Sequence, residues 1–489
     1  MLFNSFSFLL FFPIVTLIYF LIPQNKRYLW LLVASYYFYM SWNPKYALLL
    51  ALSTVITFLG GLSITKSKNI AGKKLAVAIS FILNLSILFF FKYFDFFIDN
   101  INLIFQNIGL QFLNPSFDVL LPVGISFYTF QALSYTVDLY RNEIPAEKNI
   151  LKYALFVSFF PQLVAGPIER SKNLLPQISQ THFFEWNRMK EGLLLMGWGF
   201  FLKLVVADRT AILVNQVYND FFEYNGFELS FATLFFGMQI YCDFYSYSLI
   251  AKGSAHVMGF KLMDNFKQPY FSTSIAEFWR RWHISLSSWF RDYLYIPLGG
   301  NRKGTFRKYL NNMMVFLVSG LWHGANWTFV IWGFLHGIFL VIGSITRPIK
   351  DSIFTFLHIK GTWPIRFLQG IITFILVNFA WIFFRASDLG QAKVIIQKIF
   401  SNWNMHSYSK EMFYNMGLNE NNFLILMFAL LLLTCASILT YRGVKLERII
   451  TQSNAILQGL IYLVLIFIIL IFGIYGPLYS ASQFIYFQF

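Results

Sequence analysis

Apolar runs recur along the whole chain, each separated from the next by a short polar or basic connection. A membrane-spanning helix takes roughly 20 apolar residues. Runs that meet or approach this length lie at 5–22, 28–42, 46–64, 75–98, 119–140, 150–167, 190–207, 229–251, 310–345, 366–384, 421–440 and 454–476. Those at 28–42 and 150–167 are short. The run at 310–345 is too long for one simple span, and Gly320, Gly324 and Asn326 interrupt its middle. It reads as two half-spans meeting there, or as a span followed by a re-entrant piece. The pattern predicts an all-α polytopic membrane protein with about 11–13 crossings. We find no repeat, heptad or flexible linker, so residues 1–489 are expected to form one membrane domain.

Three stretches, 160–180, 240–308 and 400–420, are too polar for lipid and too aromatic for ordinary loops. The middle one supplies most of an amphipathic segment, 252–309, expected on the cytoplasmic side. It contains Arg280, Arg281, Arg291, Arg302, Lys303, Arg307 and Lys308 beside Trp279, Trp282, Trp289 and Tyr295, an interfacial composition. Such arginines either anchor a surface helix by snorkelling or offer planar forks to phosphate. Anchoring accounts for most of them individually.

Composition sharpens the picture. The chain is 57% hydrophobic and only 12% charged, against roughly 25% charged for a soluble domain. The net charge of +16 would suggest nucleic acid in a soluble protein. Here the basic residues sit between apolar runs, where they orient the chain, and no nucleic-acid partner is expected. No basic residue precedes the first run, so it reads as a retained helix rather than a secretory leader. Lys26 and Arg27 follow it and Arg442, Lys445 and Arg448 precede the last span, which predicts that both termini lie outside. Residues 477–489 then form an extracytoplasmic aromatic segment. Cys242 and Cys435 are far apart and follow no C-x-x-C pattern, so neither a disulfide nor a thiolate metal site is expected.

The candidate chemistry lies in the histidines. His323 sits in Gly320-Leu321-Trp322-His323-Gly324-Ala325-Asn326-Trp327, and His283 in Phe278-Trp279-Arg280-Arg281-Trp282-His283-Ile284-Ser285. An imidazole at membrane depth is expensive to keep and titrates near neutral pH, which suggests proton chemistry. By itself, however, either residue reads equally as a histidine tying helices together. His336 would face another side of an unbroken helix from His323 and reads as structural. His182, His256, His358 and His406 lie in polar-flanked connections, where surface roles suffice. No His-x4-Asp, H-E-x-x-H, P-loop or G-x-S-x-G pattern occurs.

Several segments together resemble the membrane-bound O-acyltransferase (MBOAT) family. They are Phe130 to Asp138, Phe159 to Ile168, Gln239 to Phe244, Phe278 to Asp292, and Gly320 to Trp327. The branch they resemble comprises bacterial alginate and peptidoglycan O-acetyltransferases, related to the D-alanine transferase of teichoic acids. The resemblance implies a ring of tilted transmembrane and re-entrant helices around a central tunnel, in the bacterial cytoplasmic membrane. It implies that His283 and His323 form the active site. The flanking motif residues Asp243, Trp279, Arg280, Arg281, Ser285, Trp289, Arg291, Trp322 and Asn326 become candidates for substrate binding. It also implies an acyl thioester donor such as acetyl-CoA, supplied from the cytoplasm, and no metal. His323 would take a proton from an attacking hydroxyl, and His283 would orient the donor or stabilise the oxyanion.

The chain departs from the family at Asp243-Phe244-Tyr245-Ser246-Tyr247-Ser248-Leu249, where relatives commonly read Asp-Phe-Ser-Gly-Tyr-Ser-Asp. The second acid's role therefore has no counterpart at Leu249. The ending Phe484-Ile485-Tyr486-Phe487-Gln488-Phe489 resembles a Phe-x-Tyr-x-x-Phe ending of this branch, in which the tyrosine is proposed to carry the acyl group. Tyr486 is accordingly the third candidate catalytic residue, since a phenyl ester is more activated than an alkyl ester. An interfacial aromatic anchor is the alternative. The expected partners are an extracytoplasmic serine acyltransferase of the SGNH type, a cell-wall or exported polysaccharide acceptor, and membrane lipid. A lipid or protein acyltransferase of the same fold remains open, as does a non-catalytic transporter.

Overall fold

The computed structural model describes residues 1–110, 112–113, 121–403, 410–475 and 484–485. His406 and Tyr486, both named above, lie outside the described residues. Every extended regular element among the described residues is a helix. The first eight are α1 (Phe6–Leu21), α2 (Arg27–Met40), α3 (Tyr46–Lys66), α4 (Ile70–Leu88), α5 (Phe94–Ile108), α6 (Ile125–Tyr140), α7 (Ile150–Ser158) and α8 (Ser171–Ser179). There follow α9 (Trp186–Phe201), α10 (Asp208–Asn219), α11 (Gly226–Val257), α12 (Ile275–Arg281), α13 (Ile284–Phe290), α14 (Gly304–His323) and α15 (Trp327–Phe356). The last six are α16 (Trp363–Arg385), α17 (Leu389–Ser401), α18 (Lys410–Asn415), α19 (Glu420–Tyr441), α20 (Leu446–Gln452) and α21 (Ala455–Phe472).

Short polar residues set where many of these helices begin. Asn69, Asn149, Asn326, Asn419 and Asn454 cap α4, α7, α15, α19 and α21, each accepting an amide of the first turn. A cap satisfies a donor that would otherwise be left without a partner as the helix enters an apolar medium. Among the described residues, six helical stretches are long and apolar enough to cross a membrane: α3, the run Ile70–Ile108 through α4 and α5, α15, α16, α19 and α21. In α21 none of the spanning window is buried within the protein. An apolar helix with so little protein cover needs lipid around it, and its internal hydrogen bonds make that tolerable. The chain is an all-α, multi-pass membrane protein.

Two expected spans take a different form. The run 150–167 is helical only over Ile150–Ser158. Pro161 and Pro167 cannot continue a helix, and residues 159–170 are buried without helical structure. Irregular backbone is tolerated at depth only where protein covers it and supplies its hydrogen bonds. Ser35 Oγ accepts from the Phe160 amide at 3.0 Å, and Gln131 Nε2 donates to the Phe156 carbonyl at 2.5 Å. The run 310–345 resolves into two full helices rather than two half-spans. α14 ends at His323, Gly324 is extended, and α15 starts at Trp327. A β-carbon on Gly320 would lie 2.3 Å from the Phe329 carbonyl oxygen, and one on Gly333 equally close to that of Phe316. Only glycine at both positions lets the two backbones approach so closely.

Packing groups the chain into two compact units. The first comprises Met1–Leu193 with Ile250–Met263. Its interior combines rings, among them Phe3, Phe8, Phe11, Phe38 and Phe160, with paired polar groups. Tyr153 donates to Thr57 at 2.8 Å and Ser171 to Asp138 at 2.7 Å. Buried Glu169 accepts from the Met263 amide and from Asn173 Nδ2, both at 2.5 Å. Burial nevertheless pushes its carboxyl up to about 7.

The second unit comprises Leu194–Leu249 with Asp264–Phe489. Its core centres on Trp282, Trp332 and Trp381, all essentially inaccessible to solvent. Both cysteines are free, Cys242 buried and Cys435 exposed.

Candidate active site

Both motif histidines belong to the second unit. His283 occupies the junction of α12 and α13 in a left-handed conformation, φ 43° and ψ 53°. That backbone costs a non-glycine residue about 1–3 kcal/mol and persists only where surroundings enforce it. Here the enforcement comes from Asn265. Its carbonyl oxygen accepts from the Ile284 amide at 3.0 Å. Its Oδ1 accepts from the Ser285 amide at 3.3 Å and from Ser285 Oγ at 2.6 Å. Its Nδ2 donates to Ser248 at 3.2 Å, tying the clamp to α11. Just before it, the Lys267 amide donates to the Arg281 carbonyl at 2.9 Å.

The imidazole of His283 is fully buried, with the Phe244 ring edge-on at 4.6 Å between centroids. Burial pushes its pKa down to about 3, so the ring is neutral at physiological pH.

His323 is the last residue of α14, placed there by the break at Gly324. Its ring lies 6.3 Å from that of His283, inclined by 60°. Trp322, Trp332 and Phe384 wall His323 at 4.9, 5.0 and 5.4 Å. Trp322 also lies 6.0 Å from His283.

Trp332 is equally close, 5.0 Å, to His336, which sits among Phe278, Trp279, Phe316 and Trp381. Trp279 Nε1 donates to His336 Nδ1 at 3.2 Å. His336 therefore backs the wall of the site by holding two tryptophans in place. Trp332, Phe384, Phe244 and Asn265 were not singled out from sequence. Three are aromatic residues in a chain with 60 Phe and 13 Trp, and nothing local distinguishes them.

The other sequence candidates separate into groups. Ser285 and Trp322 adjoin the histidine pair, and Trp279 reaches it through His336 and Trp332. Asn326 caps α15 through Thr328 and donates to the Ser387 carbonyl at 2.9 Å. Arg281 pairs with Glu277 at 2.9 Å and stacks on Tyr441. Arg280 and Arg291 are exposed, the latter paired with Asp292 at 2.9 Å. Trp289 is buried against Phe290 and Tyr293. Asp243 is buried in an ion pair with Lys203 at 2.6 Å. A cavity of about 390 Å³ in this unit, lined by Trp198, Tyr245, Leu433, Ile461 and Leu465 among others, shares no residue with the histidine surroundings. Among the described residues no three His, Cys, Asp or Glu side chains gather as metal ligands.

The buried histidine pair in its aromatic setting can be set against known proteins. Residues 37–384 match the model of the membrane-bound O-acyltransferase family, MBOAT. The probable alginate O-acetylase AlgI of Pseudomonas putida is 41% identical over 413 residues, covering 82% of this chain and 80% of that protein. The peptidoglycan O-acetyltransferase of Helicobacter pylori is 37% identical over 429 residues, covering 81% and 79%. The teichoic acid D-alanyltransferase of Streptococcus thermophilus is 30% identical over 251 residues, covering 47% and 59%. These likenesses set the transporter alternative aside. The chain belongs to the MBOAT family and is a membrane-bound O-acyltransferase.

Proposed function

We propose that the protein moves an acyl group, most simply acetyl, from a cytoplasmic thioester such as acetyl-CoA across the membrane for O-acylation of a cell-wall or exported polysaccharide. The observation that carries this reading is the pair of buried imidazoles at 6.3 Å. His323 acts as general base on the attacking hydroxyl. His283, neutral because it is buried, orients the reacting carbonyl or donates a hydrogen bond to the oxyanion. In surroundings this apolar, one well-aimed donor is worth far more than in water. Ser285, Trp279 and Trp322 shape the site, and Asn326 holds the start of α15 beside it. Exposed Arg280 and Arg291, with Trp289 between them in sequence, suit the phosphates of a nucleotide-bearing donor, while Arg281 braces their helix through Glu277.

In this reading the attacking hydroxyl is the Tyr486 phenol. Its ester then passes to an extracytoplasmic serine acyltransferase of the SGNH type, which acylates the polymer. The named acceptors of the relatives, alginate and peptidoglycan, support a polysaccharide over a lipid or protein acceptor. The test is transfer from labelled acyl thioester in membranes. His323→Ala is expected to abolish transfer while the chain still inserts and folds. Full activity in that variant would remove His323 from the chemistry. Intact-mass analysis of trapped protein should find acyl on Tyr486, and its absence from every trapped state would remove the relay.

A further inference from the structure

The run between α9 and α10 is interrupted by a π-helical turn, Leu202–Ala207. Such a turn inserts an extra residue, re-aims the side chains within it and leaves carbonyls outside the regular ladder. Within it, Lys203 Nζ reaches Asp243 Oδ1 at 2.6 Å and Asp208 Oδ1 at 2.9 Å, and all three side chains are buried. The Leu204 carbonyl accepts from the Ile474 amide at 2.9 Å. Arg209, just beyond, donates to the Phe472 carbonyl at 2.7 Å, to the Val205 carbonyl at 2.8 Å and to Asn422 Oδ1 at 3.1 Å. The end of α21 is thus tied down at Phe472 and Ile474.

The same network reaches the chain a second time. The Ile485 amide donates to Asp243 Oδ2 at 2.5 Å. The Phe484 ring lies 4.4 Å from Lys203 Nζ and edge-on to Tyr247 at 4.7 Å. Phe484 and Ile485 are 1% and 4% exposed.

A buried ion cluster is a weak source of stability, because desolvation offsets most of the Coulomb attraction. A backbone N–H aimed at Asp243 Oδ2 is the kind of group that steadies a buried carboxylate. We propose that Asp243, braced by Lys203 and Asp208, is a seat for residues 484–485, and that through this seat it is a positioning residue for acyl transfer to Tyr486. The consequence for catalysis rests on the relay reading above; the seat itself does not. Tyr486 follows Ile485 directly, so fixing the Ile485 amide confines the next Cα to within about 3.8 Å of a held point. A nucleophile one residue from a held point reacts at a far higher effective concentration than one on an untethered end.

Two measurements separate the seat from the relay. In full-length protein, the photocrosslinking residue p-benzoylphenylalanine replaces Tyr247, native membranes are irradiated, and crosslinks to residues 484–485 are read by peptide mass spectrometry. Efficient crosslinking is expected. Lys203→Met should reduce it at least tenfold, and Lys203→Arg should restore much of it. No crosslink with Lys203 intact overturns the seat.

In the otherwise native chain, Ile485→Pro removes the one N–H that Asp243 Oδ2 accepts while leaving the ion cluster intact. Acyl on Tyr486 should fall roughly ten- to a hundredfold, as expected for loss of one hydrogen bond to a charged group. The unfolding midpoint should fall only by the amount that one buried hydrogen bond contributes. Undiminished acylation in Ile485→Pro overturns the positioning role. Efficient crosslinking in a protein whose Tyr486 is never acylated upholds the seat and defeats the relay.

Discussion

His283 combines two costs that packing helps to meet, a left-handed backbone and a fully buried imidazole. The Asn265 side chain makes three of the four hydrogen bonds around it, so Asn265→Ala is expected to destabilise the protein by about 2–3 kcal/mol. Acyl transfer should fall further than folding alone accounts for, because His283 would lose its aim. Thermal unfolding and transfer rate, measured on the same preparation, check this; a variant with unaltered kinetics would contradict the positioning of His283 by this clamp.

Two of the buried groups, His283 and Glu169, give opposite pH dependences. His283 stays neutral in the fold down to about 3, whereas the unfolded chain takes up that proton near 6.5. Between those values the unfolded state binds more protons, so this contribution to stability is lost as pH falls from about 6.5 toward 3. Glu169 holds its proton up to about 7 in the fold but only to 4.5 when unfolded. There the native state binds more protons, so stability is lost as pH rises from 4.5 through about 7. Glu169→Gln should flatten the neutral side of the profile and leave the acid side unchanged, which a pH series of unfolding midpoints reads directly.

Among the elements, the α14–α15 hairpin does most to place the chemistry, because its turn sets the end of one helix at His323. The close approach at Gly320 and Gly333 makes it intolerant of added volume. Gly333→Val is expected to cost at least about 1–3 kcal/mol as an overpacking change and to depress transfer. Gly343 on the same helix α15 faces open space. There Gly343→Ala should be neutral or stabilising by up to about 1 kcal/mol through helix propensity. Comparing unfolding midpoints of the two variants tests whether contact, rather than glycine content, governs this hairpin. The clamp at Asn265 and the π-turn at Lys203 play the same part for their neighbours: a short irregular piece fixes a side chain that a straight helix would carry elsewhere.

For the molecule as a whole, the expected orientation can be tested at the basic connection between α19 and α20. Arg442 and Lys445 lie there and Arg448 in the first turn of α20, and positive residues tend to be retained on the cytoplasmic side. The expectation is that Val444→Cys, in a chain without Cys242 and Cys435, reacts with an impermeant maleimide only once the cytoplasmic face is opened. Labelling of intact cells would reverse the assignment and place residues 477–489 on the wrong side to deliver an acyl group outward.

What the sequence determined by itself follows from the solvent. In lipid a backbone must bond internally, so long apolar runs become helices wherever they occur, and α3, α16, α19 and α21 stand close to where hydropathy puts them. The two histidine motifs were legible because polar residues are scarce in such a chain. Hydropathy, however, reports removal from water and does not distinguish lipid from protein as cover. The buried, irregular residues 159–167 therefore read as the end of a span, and the run 310–345 as two half-spans or a span with a re-entrant piece. Which residues meet was decided only in three dimensions. His283 and His323 are brought to 6.3 Å by Asn265 on one side and the Gly320–Gly333 contact on the other. Asp243 finds Lys203 because a π-turn directs that side chain inward. Such contacts depend on which helices pack together and on single departures from regular geometry, which local composition does not encode.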